Sequence, residues 1–121
     1  MSTKTIDFLT RLRNAHIRGN TYLTLTSTKM TRTVASLLVR DGYLNQSETV
    51  DGVLQISFNG NAFSTIEALS KPGTRTYVQK DSIPQPLNGM GTVYISTSQG
   101  IMNGKDAAKR CIGGELIFWI F

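Results

Sequence analysis

The sequence predicts an α+β protein of two small lobes: an N-terminal αβαββ lobe over residues 1–62 and a mainly β lobe with one short helix over residues 63–121. Three observations predict this. Two segments before Gly42 carry apolar residues at helical spacing, whereas the later apolar runs are short and strand-like. Asp51-Gly52, Asn59-Gly60, Pro72-Gly73 and Gly113-Gly114 punctuate the chain between those runs. Finally, 121 residues with 40% hydrophobic content supply a core for one ordinary domain or two lobes sharing a boundary.

Thr5 to Arg18 reads as the first helix. Phe8, Leu12 and Ala15 recur at helical spacing with Ile6 and Leu9 beside them, and Gly19 offers a stop. Asp7 suits the positive N-terminal end of the helix dipole, while Arg11, Arg13 and Arg18 leave a basic exposed flank. Leu23 and Leu25 alternate with threonines as a short half-buried strand. Thr28 or Ser27 can cap a second helix running to Asp41, with Met30, Val34, Leu37 and Leu38 as its apolar positions and Gly42 as its end. Tyr43 and Leu44 begin another strand. Asp51-Gly52 then signals a tight turn, and Leu54, Ile56 and Phe58 alternate with polar neighbours, which predicts a hairpin.

Asn59-Gly60 breaks the pattern, and Ile66 to Leu69 opens the second lobe. Pro72-Gly73 marks a turn before the extended segment Thr74–Val78. Asp81 to Gly91, with Pro84, Pro86 and Gly89, reads as a loop without periodicity. Val93-Tyr94-Ile95 is a clear strand that runs into Ser96-Thr97-Ser98-Gln99-Gly100. Asn103 can cap a short helix over Lys105 to Arg110, with Asp106 placed as in a capping box. Gly113-Gly114 ends that helix, and Glu115–Phe121 closes the chain as an apolar strand.

The formal charge of +5 points to a polyanionic partner, because a Lys or Arg set against a phosphate releases condensed counterions. The charge is spread: residues 1–70 carry seven Lys or Arg against five acids, and residues 71–121 carry six against three. No basic tail exists. The single Cys111 excludes an internal disulfide, and with His16 as the one histidine no zinc site of ordinary composition can form. The opening residues lack the features of a secretory or transit leader, and no apolar run approaches the roughly 18 residues that span a bilayer. No membrane association, cofactor, metal or small-molecule substrate is expected.

Catalysis finds no support. A Ser–His–acid set would require His16, which is expected mid-helix between arginine-bearing turns. Cys111 lies beside Arg110, which can activate a thiol, but a buried structural cysteine accounts for it better. Gly104-Lys105 is followed by Asp106 rather than Ser or Thr, so it is no P-loop. Gly89-Met90-Gly91 lacks the third glycine of a dinucleotide fingerprint.

The most informative segment is Ser96-Thr97-Ser98-Gln99-Gly100-Ile101-Met102. Consecutive hydroxyls both donate and accept, which suits base edges and 2′-hydroxyls of irregular RNA, and the glycine permits close backbone approach. The plainer reading is a polar turn that caps the next helix. Taken with Ala107-Ala108, Gly113-Gly114-Glu115 and Leu116–Phe121, however, the order resembles the ribosomal protein S-eight family, the eighth protein of the small subunit. Ser70-Lys71-Pro72-Gly73-Thr74-Arg75-Thr76-Tyr77, the opening helix from Asp7 to Ala15, Ser27-Thr28-Lys29 and Asp41-Gly42-Tyr43-Leu44 are similar to further segments of that family. The resemblance covers nearly the whole chain.

It implies a structural, non-enzymatic protein that binds the central domain of small-subunit rRNA, supports subunit assembly and touches neighbouring small-subunit proteins. The main RNA contact would be the second lobe: Ser96, Thr97, Ser98, Gln99 and Gly100, with the nearby Pro72-Gly73 and Gly-Gly-Glu turns. Lys71, Arg75 and Lys105 would neutralise phosphates. Tyr77 would stack on a base or sugar or else belong to the core. Glu115 would orient the hydroxyls, accept from a base amine, or simply stand exposed. Arg11 and Asn14 on the first helix, with Lys29 at the start of the second, would form a second RNA-facing surface. The chain departs from the family at Gln99, where a Lys is common, at Thr26, where a Pro is, and at Thr31, where a basic residue is. Such dilution of positive charge, without a leader, points first to a mitochondrial matrix ribosome, with a plastid or a bacterial cytoplasm as alternatives. The rival function is a free RNA-binding regulator using the same loop on a messenger RNA.

Overall fold

The computed structural model describes residues 3–58, 63–70, 76–84 and 91–121. These form two compact units, one of Lys4–Ser64 and one of Thr65–Phe121 together with Thr3. The element order is α+β throughout, helix-rich first and mostly β afterwards.

In the first unit, α1 (Thr3–Ile17) buries Phe8, Leu9, Leu12 and Ala15 along one stripe, as the periodicity requires. Strand β1 (Tyr22–Thr26) follows, then α2 (Lys29–Arg40), which buries Thr31, Val34, Ala35 and Leu38. Thr28 caps α2 through a reciprocal box. Thr31 N–H donates to Thr28 Oγ1 over 3.2 Å, and Thr28 N–H donates to Thr31 Oγ1 over 2.9 Å. Tyr43 and Leu44 do not begin a strand. Their amides instead bond back to the Leu38 carbonyl and close the end of α2, so β2 starts later (Gln46–Val50). Strand β3 (Val53–Ser57) returns after the Asp51-Gly52 turn, both of whose residues have positive φ. The three antiparallel strands run in the order β1-β3-β2. His16 sits in the last turn of α1 rather than mid-helix, its ring 4.2 Å from that of Phe63, so it packs instead of facing a nucleophile.

In the second unit, β8 (Gly114–Ile120) is the organising strand. Strand β4 (Ile66–Ala68) pairs with its C-terminal part and β5 (Tyr77–Val78) with its N-terminal part, while β6 (Thr92–Thr97) lies along the other side. The segment after Gly100, which carries no clear strand signal, forms β7 (Gly100–Asn103) and pairs with β6. Helix α3 (Gly104–Lys109) starts at Asn103, whose Oδ1 accepts from the Asp106 amide at 2.8 Å. Val93, Ile95, Met102, Ala107 and Leu116 form a buried cluster between sheet and helix. Each of the larger of these side chains, Val93, Ile95, Met102 and Leu116, contributes about 1.5–3 kcal/mol over its exposed state.

Two expectations for the end of α3 need correction. The helix ends before Gly113-Gly114: Cys111 takes a left-handed conformation (φ 57°), and the Ile112 amide bonds back to the Ala107 carbonyl. Cys111 is therefore an exposed reversal of the chain, not a buried structural cysteine. The loop expected from Asp81 to Gly91 begins as a short 3-10 turn over Lys80–Ser82, and residues 85–90 lie outside the described ones, as do Asn59-Gly60.

Candidate nucleic-acid interface

The Ser96–Gly100 segment is a hairpin rather than an open loop. Ser96 and Thr97 belong to β6, Thr97 pairs with Gly100, and Ser98-Gln99 make the turn. Thr97 spends its hydroxyl on the fold: Oγ1 donates to the Gly100 carbonyl (2.7 Å) and accepts from the Gln99 amide (3.1 Å). Ser98 stands exposed at the tip, and Ser96 is half-buried in the strand. The three hydroxyls therefore divide, with Thr97 shaping the turn, Ser98 exposed at its tip and Ser96 half-buried in the strand.

Register brings distant residues to this hairpin. Tyr77 pairs with Glu115, Glu115 with Ser96, and Ser96 with Ile101, so the four share one row across β5, β8, β6 and β7. Directly opposed residues of a sheet project from the same face. A bulge in β8 makes this possible. Tyr94 pairs with Phe118 but Ile95 pairs with Leu116, so Ile117 is the extra residue. Plain alternation would set Glu115 and Phe118, three residues apart, on opposite faces. Tyr77 is 66% exposed, so of its two readings the core is excluded.

Gly113 and Gly114 serve close approach. A Cβ on Gly114 would lie 2.2 Å from the Ser96 carbonyl oxygen, and one on Gly113 the same distance from that of Val78. Ser70, passed over as a functional residue, is fully buried beside the same strand. Its Oγ donates to the Leu116 carbonyl and accepts from the Thr76 amide, while the Leu116 amide donates to the Thr76 carbonyl at 2.8 Å. The residues bracketing the 71–75 stretch are thus tied to each other and to β8, next to Glu115. Lys71, Pro72, Gly73 and Arg75 themselves lie outside the described residues. Lys105 is exposed in the first turn of α3. A further cation at the hairpin escaped sequence reading: Arg110 Nη1 donates to Gln99 Oε1 at 3.1 Å.

In the first unit, Arg11 and Asn14 are exposed on α1. Arg11 Nε lies 3.1 Å from Asp7 Oδ2, so part of its charge is already balanced. Asp7 and Arg11 line a groove with Leu25, Thr26 and Thr31, which sets this side of α1 beside the first turn of α2, where Lys29 is exposed. Thr31, where the resemblance implies a cation, is only 1% exposed and is committed to the capping box. Among the described residues no group of acids, histidines and cysteine gathers as a metal site, and no helix is long and apolar enough to cross a membrane.

Comparison with known proteins shows the family. The family model described as Ribosomal protein S8 matches residues 4–121. Small ribosomal subunit protein uS8 of Levilactobacillus brevis is 35% identical over 130 residues, covering 100% of this chain and 98% of the relative. That of Limosilactobacillus reuteri is 37% identical over 130 residues, and that of Clostridium novyi 36% over 129, each with the same two coverages. These relatives are bacterial and lend no support to a mitochondrial preference. With the match spanning both units, the chain belongs to the ribosomal protein S8 family, whose role is structural rather than enzymatic.

Proposed function

We propose that the protein is a structural constituent of the small ribosomal subunit that holds the central domain of small-subunit rRNA and supports subunit assembly. The observation that carries this reading is the row Tyr77–Glu115–Ser96, which crosses the hairpin next to its exposed Ser98-Gln99 turn. It juxtaposes an exposed aromatic ring, a carboxylate and the Ser96 hydroxyl on one face, with Ser98 exposed at the turn beside them. That set can stack on an unpaired base, accept from its amine and bond its sugar, which is how irregular RNA is recognised. Lys71, Arg75 and Lys105 add phosphate contacts that position the RNA without reading its sequence. Arg11, Asn14 and Lys29 supply a second RNA-facing surface on the first unit, and Pro72-Gly73 and Gly100 let the backbone come close. Neighbouring small-subunit proteins are further partners. The relatives fit a bacterial cytoplasm as the compartment.

The test is a competition between two RNAs. Purified full-length protein should prefer a central-domain fragment of its own small-subunit rRNA over an unrelated duplex of equal length by at least about a hundredfold. Equal binding to both would refute the reading.

A further inference from the structure

We propose that Arg110 is an additional phosphate-binding residue of this interface, with Gln99 as the residue that positions it; the inference rests on the RNA-binding reading above. Residues 92–103, which form β6, the turn and β7, contain no charged side chain. The hairpin therefore has no cation of its own to meet a sugar-phosphate chain. Arg110 supplies one from α3. It is exposed at the C-cap of that helix, eleven residues from Gln99 in sequence, and its Nη1 donates to the Gln99 side-chain carbonyl across 3.1 Å.

The identity of the acceptor decides what this contact does. In the ion pairs seen among the described residues, Arg11 and Arg40 each face a carboxylate. Arg110 faces a neutral amide, so its full positive charge stays available. A guanidinium presents five N–H donors in a rigid fork, and the single bond to Gln99 leaves the rest to engage a phosphate. The anchor is itself held, because the Gln99 amide donates to Thr97 Oγ1. The left-handed turn at Cys111 then takes the main chain away from Arg110 and into β8. Side chains that lose less freedom on binding make a contact at lower entropic cost.

The experiment titrates full-length wild-type, R110A, Q99A and the double variant with the central-domain fragment across a salt series. R110A should bind roughly three- to tenfold more weakly at moderate salt, with the magnitude of its log–log salt slope reduced by about one. Q99A keeps the charge, so it should retain the wild-type slope and lose less affinity than R110A. The double variant should match R110A, because a positioning residue has nothing left to position. Both side chains are exposed, so the melting temperature should not change in any variant. Wild-type affinity and slope in R110A would overturn the assignment, and losses that simply add in the double variant would overturn the role given to Gln99. If R110A is silent while S98A weakens binding, Arg110 alone is excluded and the RNA-binding reading stands. If the wild-type protein does not distinguish the fragment from the unrelated duplex, both fall together.

Discussion

Two positions at the passage from α3 to β8, Cys111 and Gly114, respond to a β-carbon in opposite ways. Gly114 lies against the Ser96 carbonyl, a strand atom that cannot yield without moving β6. G114A should therefore destabilise the protein by about 1–3 kcal/mol or more, seen as a lower urea midpoint at unchanged m-value. Cys111 already carries a β-carbon in the left-handed region, where a side chain costs roughly 1 kcal/mol. C111G should leave stability level or raise it by up to about 1 kcal/mol in the same melt, the gain offset by the greater freedom of glycine in the unfolded chain. Thr97 is a further case of local geometry setting a role. Its hydroxyl is engaged within the turn, so T97A should speed hydrogen exchange at the Gln99 amide, which loses its acceptor.

Among the elements, α2 shows how a short motif fixes a boundary. Thr28 and Thr31 satisfy two main-chain donors reciprocally, so the helix starts at Lys29 and presents it outward. T28A removes the cap and should cost about 1 kcal/mol, measured by urea denaturation, with the loss concentrated in exchange rates of the first turn. The same box accounts for Thr31 being a buried threonine where a cation would otherwise be expected. The hairpin of β6 and β7 was less legible. Gly100-Ile101-Met102-Asn103 is too short to show alternation, and Asn103 already reads as a helix cap. Only pairing to β6 makes that stretch a strand. The end of α3 departs from the sequence expectation for a related reason: a glycine pair is the stronger local stop signal, yet Cys111 turns the chain, leaving Gly114 to β8 and Gly113 against the Val78 carbonyl.

For the molecule as a whole, the proposed function divides the work of binding between the net charge of +5 and the uncharged hairpin. S98A should weaken binding to the rRNA fragment by about 1–3 kcal/mol with the salt slope barely changed, since it removes a polar partner and no charge. K71A should weaken binding modestly and reduce the slope by about one unit. Salt-series titrations of both variants check this, and indistinguishable slopes would show that hydroxyls and cations do not play separate parts. The sequence alone carried the order of the helices and of most strands, the cap at Asn103, a cap at Thr28 or Ser27, and the Ser96–Met102 and Gly113–Glu115 motifs that identify the family. Those signals are local: each depends on spacing within about ten residues, which a single helix, strand or turn can express. Tertiary structure decided the rest. The bulge at Ile117 puts Glu115 on the face of Ser96 and Tyr77, Ser70 binds Thr76 to β8, and Gln99 meets Arg110. Each of those outcomes follows from which strand pairs with which and in what register, a choice set by packing between segments far apart in the chain and by no residue's own preference.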